Sequence, residues 1–119
     1  MLPRLKHLRN LDLKLCGILD NIFKTLAHGF RSCQHLEEII LSWNSIGDEG
    51  ACALATELNH MRKLRILDLE KNQITKQGAE SVTQALISCL RIQVVRLWGN
   101  KISKDDEERL LEQEPRITF

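Results

Sequence analysis

Leu64-Arg65-Ile66-Leu67-Asp68-Leu69-Glu70-Lys71-Asn72-Gln73-Ile74 sets leucines at 64, 67 and 69, a lone amide at 72 and an isoleucine at 74. Leu67 and Leu69 alternate with Asp68 and Glu70, the pattern of a short strand with one buried face. The same frame recurs upstream as Leu36-Glu37-Glu38-Ile39-Ile40-Leu41-Ser42-Trp43-Asn44-Ser45-Ile46 and as Leu8-Arg9-Asn10-Leu11-Asp12-Leu13-Lys14-Leu15-Cys16-Gly17-Ile18. Downstream it returns as Ile92-Gln93-Val94-Val95-Arg96-Leu97-Trp98-Gly99-Asn100-Lys101-Ile102, so the starts at 8, 36, 64 and 92 are 28 residues apart each time. Matches of this length at one interval mark an internal repeat.

The shared frame is L-x-x-L-x-L-x-x-N/C-x-L, that of a leucine-rich repeat. Its fourth and sixth positions point inward from a short parallel strand. Its Asn or Cys slot (Cys16, Asn44, Asn72, Asn100) falls where the chain turns inward, and there a buried amide can bond backbone groups that have left the ladder. Cys16 reads as a small, buried substitute in that slot. The second half of each unit is helical: Ala51, Leu54, Ala55 and Leu58 form one stripe, matched by Ala79, Val82, Thr83 and Leu86 and by Phe23, Leu26, Ala27 and Phe30. Gly50 and Gly78 share a first-turn position where a missing side chain permits close approach, and Thr75 and Ser103 stand as helix N-caps. The expected fold is α/β: a leucine-rich-repeat horseshoe of four 28-residue strand–helix units, with a parallel concave sheet and outer helices.

The units run 8–35, 36–63, 64–91 and 92–119 within a single segment, 1–119. The last ends in a capping helix at about 104–114, with Leu110 and Leu111 inward, a solvated acidic run from Asp105 to Glu114 outward, and Arg116 to Phe119 as a short tail. Met1 to His7 enters the first strand without a comparable cap, so the chain is expected to be the C-terminal piece of a longer array. With 119 residues, 20 Leu, 11 Ile and five aromatics, the core is aliphatic and one domain in size. The formal charge of +1 weakens any reading that tracks a phosphate backbone. No apolar run reaches a membrane span and no signal-peptide h-region opens the chain. Cysteines at 16, 33, 52 and 89 have no metal spacing and read as reduced intracellular thiols.

No P-loop, H-E-x-x-H, G-x-S-x-G or dinucleotide fingerprint occurs, so neither an enzyme nor a cofactor is expected in this segment. Binding is different, because outward strand positions form one surface. They run Asp12, Ile40, Asp68, Arg96, then Lys14, Ser42, Glu70, Trp98, with Leu15, Trp43, Lys71, Gly99 beside them. Trp beside mixed charge suits an interface, which makes Ile40, Trp43, Asp68, Glu70, Lys71, Arg96 and Trp98 the partner-binding candidates. His7, His35, Lys63 and Arg91 share a slot before each strand; this basic column is either a solvated loop edge or a strip for an acidic partner.

The helices in D-E-G-A-x-A-L form resemble the ribonuclease-inhibitor class of leucine-rich repeats, which NOD-like receptors carry at their C-termini. Leu41-Ser42-Trp43-Asn44, Asp68-Leu69-Glu70-Lys71-Asn72-Gln73-Ile74-Thr75, Arg96-Leu97-Trp98 and Gln113-Glu114-Pro115-Arg116 resemble the last repeats of receptors of the caspase-recruitment-domain type. Gly99 departs from the Asn expected after the Trp. The resemblance implies a cytoplasmic and nuclear immune regulator that modulates MHC class I transcription and NF-κB and interferon signalling. Its partners would be signalling or transcription proteins, or the receptor's own upstream module, with no direct nucleic-acid contact. The other function in view is a stand-alone ribonuclease-inhibitor-like or GTPase-activating repeat protein.

Overall fold

The structure, a computed structural model, describes residues 7–119. The expected entry of Met1 to Lys6 into the first strand lies outside the described residues. The elements alternate: β1 (Asn10–Asp12), α1 (Asp20–Gly29) with a 3-10 turn at Phe30–Ser32, β2 (Glu38–Ile40), α2 (Asp48–Leu58), β3 (Ile66–Asp68), α3 (Lys76–Leu86), β4 (Val94–Arg96), α4 (Lys104–Gln113) and β5 (Ile117–Thr118). The strands form one parallel sheet in chain order. Its register sets Leu11, Ile39, Leu67, Val95 and Ile117 side by side. The last four are at most 1% exposed, and Leu41, Leu69 and Leu97 repeat the layer two residues on. Fully burying each such side chain is worth ~1.5–3 kcal/mol, so the leucine column is the main source of stability. The helical stripes close the other side, with Phe23, Ala27, Phe30, Leu54, Leu58, Val82 and Leu86 in the core.

The amide slot works as the repeat pattern demands. Asn72 accepts from the Ile46 N–H (3.0 Å) and donates to the carbonyls of Leu41, Leu69 and Glu70 at 3.0–3.1 Å. Asn44 and Asn100 bind their own turns and the preceding unit in the same way. Cys16, expected buried in this slot, is exposed. Burial there comes from the preceding unit, and none precedes Cys16 among the described residues. Leu8, Leu11 and Leu13 are only partly buried for the same reason.

Helix starts are stitched between units. Asp20 Oδ1 accepts from the N–H groups of Gly47 (2.7 Å) and Gly50 (3.1 Å), and Asp48 Oδ1 accepts from Thr75 (2.8 Å) and Gly78 (3.1 Å). These carboxylates satisfy amides that a helix N-terminus leaves open. Thr75 was expected to cap its own helix. Instead its side chain caps nothing and its hydroxyl donates to Asp48 Oδ2. Gly50 is needed here, since a Cβ would stand 2.5 Å from Asp20 Oδ1 and 2.7 Å from Ile46 Cγ2. Ser103 does cap its helix, accepting from the Asp106 N–H at 3.2 Å.

The C-terminal end departs most from expectation. Arg116 to Phe119 is no loose tail: Ile117–Thr118 forms β5 and pairs with Val95–Arg96. Leu110 is buried, but Leu111 faces solvent at 39% exposure, one residue off the inward stripe. Glu114 is not part of a solvated acidic run. It is buried and bound in a fork to Arg116 through Nε (2.7 Å) and Nη2 (2.8 Å). The remaining guanidinium donors reach the carbonyls of Leu86 (2.6 Å), Cys89 (2.6 Å) and Ile92 (3.0 Å), closing the exit from α3. The Arg116 hydrogen bond holds the Glu114 carboxyl below its usual range, and Glu114 in turn raises the guanidinium. Burial pushes the Cys33 and Cys89 thiols up, away from the reactive thiolate.

Candidate protein-interaction surface on the sheet face

Each of the strands β1 to β4 is followed by a residue in the left-handed region: Leu15, Trp43 and Lys71 at φ 59°, 58° and 55°, and Gly99 at 80°. The turn is fixed by hydrogen bonds that continue the sheet past its strands. Trp43 N–H donates to Glu70 O (3.0 Å) and Lys71 N–H to Trp98 O (2.8 Å). One unit's turn is thereby laid against the next, and the side chains in this slot form a row along the sheet's rim.

Lys71 of that row lies between two indoles, Trp43 beside it in the row and Trp98 from the position before Gly99. Its Nζ is 5.1 Å from the Trp43 ring centroid and 4.9 Å from that of Trp98. Both distances suit attraction between a cation and an aromatic face. Gly99 makes the arrangement possible, because a Cβ there would stand 2.7 Å from Lys71 Cδ and 3.0 Å from Cγ. The Gly that departs from the expected Asn is thus the floor under the lysine stem. Trp43 and Trp98 remain 48% and 50% exposed, so each ring presents about half its surface outward. A depression of ≈ 310 Å³ beside them is lined by Trp43, Lys71, Gln73, Gly99, Lys101 and the ladder amides.

The other candidates adjoin this row. Ile40, Asp68 and Arg96 stand side by side in the register of β2, β3 and β4. Asp68 Oδ2 is 4.0 Å from Arg96 Nη1, and Asp68 Oδ1 accepts from the Glu70 N–H at 3.0 Å. Asp68 is only 7% exposed and so organises the turn rather than offering a free carboxylate. Glu70 lies half-buried beside it, and Arg96 is exposed. The surface therefore joins a Trp–Lys–Trp stack to a partly covered ion pair and the half-buried Ile40. A further outward row, Glu38, Ile66 and Val94, was missed by the sequence reading, although it follows from the same alternation one step earlier in each unit. It adds two aliphatic side chains, Ile66 and Val94, paired across β3 and β4 on the same face as Ile40. No group of three or more His, Cys, Asp or Glu among the described residues is arranged to hold a metal ion.

Repeating strand, amide-lined turn and outer helix define an α/β leucine-rich-repeat protein, and a family profile described as "Leucine Rich repeat" matches residues 32–55 and 60–82. Among solved structures, the actin-binding site 2 of leiomodin-1 shares the fold, with a TM-score of 0.81 over 94% of this chain and 69% of that one, at 17% identity. In sequence the chain is similar to Protein NLRC5 of Homo sapiens, 48% identical over 64 residues, and to Protein NLRC5 of Mus musculus, 40% identical over 67 residues. Those matches cover 54% and 56% of this chain but 3% and 4% of the relatives' own length. The chain is an NLRC5-like leucine-rich-repeat segment.

Proposed function

We propose that this segment is a non-enzymatic protein-interaction module that serves a NOD-like receptor without a cofactor of its own. Its partner is a protein, either a signalling or transcription factor or the receptor's upstream module, seated on the rim formed by Trp43, Lys71 and Trp98 with Ile40, Glu70 and Arg96 beside it. The supporting observation is the Trp43–Lys71–Trp98 stack, which keeps two half-exposed indoles fixed on the sheet side of the array. Rigid aromatic anchors of this kind bind with little ordering cost and dominate interface energies. Through such contacts the receptor would work in cytoplasm and nucleus, modulating MHC class I transcription and NF-κB and interferon signalling. The test is the receptor carrying Trp43→Ala and Trp98→Ala, measured by partner co-precipitation and an MHC class I promoter reporter. Both signals should fall, while the isolated segment stays folded with only the ~1–2 kcal/mol loss expected for the two cation–aromatic contacts. Full partner recovery by a folded double variant would refute the assignment.

A further inference from the structure

We propose a second binding site, on the opposite edge of the array from the tryptophans, for an extended acidic protein segment that carries an aliphatic side chain. The site lies between the loop that joins the second unit to the third and the loop that joins the third to the fourth, where the chain leaves α2 and α3 and approaches β3 and β4. Two adjoining depressions meet there, ≈ 230 and ≈ 500 Å³ in volume, with Leu90 and Arg91 lining both. The floor of the first is aliphatic: Leu58, Met61, Leu64 and Ile92 are all at most 4% exposed, and they open onto the groove through the gap between the two turns. Leu90 stands on its lip at 86% exposure, the most exposed large apolar side chain among the described residues. The opposite wall is fixed by Ser88 Oγ donating to Asn59 Oδ1 at 2.7 Å.

Charge identifies the occupant. Arg62, Lys63, Arg65 and Arg91 ring the two depressions, and Glu37 is the one carboxylate among the lining residues. Glu37 is already shared between Arg9 and Arg65, each at 4.0 Å, so it cannot neutralise the rest. Among the described residues, Arg62, Lys63 and Arg91 form no ion pair. Lys63 Nζ lies 3.4 Å from His35 Nδ1, and His35 stacks on His7 at 5.6 Å, which extends the basic column along the edge. This concentration is local, because the chain as a whole carries only +1.

Lys63 and Arg91 belong to neighbouring units, so their backbones are separated by about one strand spacing, ~4.8 Å. The long Lys63 and Arg91 side chains can splay to carboxylates ~6.8 Å apart, two residues along an extended peptide, while an aliphatic side chain beside them enters the floor. A single-stranded nucleic acid suits the groove poorly. Such ligands are held by aromatic rings that stack on bases, and no aromatic residue lines either depression.

The test is fluorescence anisotropy of the 119-residue chain with a fluorescein-labelled peptide of sequence Glu-Asp-Leu-Asp-Glu. Its amide analogue Gln-Asn-Leu-Asn-Gln and a labelled oligothymidylate serve as comparisons. The acidic peptide should bind saturably and lose affinity as salt rises, and its amide analogue should not bind. Lys63→Glu with Arg91→Glu should weaken binding by about tenfold or more. Trp43→Ala with Trp98→Ala should leave it unchanged, which separates this site from the rim surface. Lys63→Gln with Arg91→Gln gives the same reading should the reversed pair fold poorly. Any of four results overturns the proposal: no saturable peptide binding, equal binding by the folded charge variants, loss of binding in the tryptophan variant, or tighter binding of the oligothymidylate.

Discussion

Replacing Gly99 by Ala tests whether the lysine clamp is a built feature. Two effects follow from the geometry. At φ 80° an L-residue is strained, by ~1–2 kcal/mol for left-handed backbone. The added Cβ would also stand 2.7 Å from Lys71 Cδ, 3.0 Å from Cγ and 3.2 Å from Cε. The lysine is flexible enough to move away, so the clash itself relaxes. What is lost is its place between the rings, where each cation–aromatic contact at a half-exposed site is worth ~0.5–1 kcal/mol. The sum is a loss of about 2–4 kcal/mol of stability. A double-mutant cycle separates the parts. Alone, Lys71→Ala should cost about 1–2 kcal/mol, and in that background Gly99→Ala should cost only its backbone share, ~1–2 kcal/mol. The coupling is therefore expected near 1–2 kcal/mol. Urea unfolding followed by circular dichroism measures it. Tryptophan emission reports the clamp directly, because Trp43 and Trp98 are the only indoles in the chain. A coupling below about 0.3 kcal/mol, the usual scatter for independent sites, together with unchanged emission, would refute the clamp.

Asn72→Ala strips partners from the Ile46 N–H and from three carbonyls inside the array; at ~1–3 kcal/mol for a buried unsatisfied group, the urea midpoint should show a loss of about 2–4 kcal/mol. Asp48→Ala leaves the N–H groups of Thr75 and Gly78 open at the start of α3, so stability should fall by ~1 kcal/mol, with faster hydrogen exchange at Gly78 as the specific readout. Because its folded value is depressed below the ordinary 4.5, Glu114 contributes stability that is complete above that value and lost as pH falls through the folded one. Glu114→Gln should therefore flatten the acid limb of a melting-temperature profile, and a limb as steep as wild type would contradict the Glu114–Arg116 clasp.

What the sequence disclosed was whatever repeats every 28 residues: the inward leucines, the amide slot and the helical stripe each sit in a column whose members share one environment. What it concealed breaks that period or depends on a neighbour. β5 pairs Val95 with Ile117, an offset of 22, and has only two residues, too short for alternation to register. Cys16 shares its column with the buried Asn44 and Asn72 and the half-buried Asn100, yet none of the described residues forms a preceding unit that would cover it. Lys71 sits between the indoles because a left-handed turn residue aims its side chain along the rim, and strand periodicity carries no signal for that direction. In the acidic terminal run, charge alone does not reveal that Glu114 has a guanidinium facing it.

One column explains why the last junction is closed differently. Positions 20, 48, 76 and 104 read Asp, Asp, Lys, Lys, whereas 50, 78 and 106 read Gly, Gly, Asp. Where the second of these positions is Gly, its N–H donates to the preceding unit's Asp, which reaches across and caps the helix. At 106 a carboxylate occupies that position, and an Asp at 76 would meet a like charge. Lys76 stands there instead, its Nζ 3.9 Å from Asp106 Oδ1, and Ser103 takes over the cap of α4. The third and fourth units thus lack the half-buried carboxylate stitch that joins the others. Arg116 supplies the replacement by tying the end of α3 to β5, which pairs with β4. The Lys71–Trp98 contact crosses that same junction, since Lys71 belongs to the third unit and Trp98 to the fourth. Half of the lysine clamp therefore crosses a junction that is tied on its helical side by a guanidinium, not by a carboxylate.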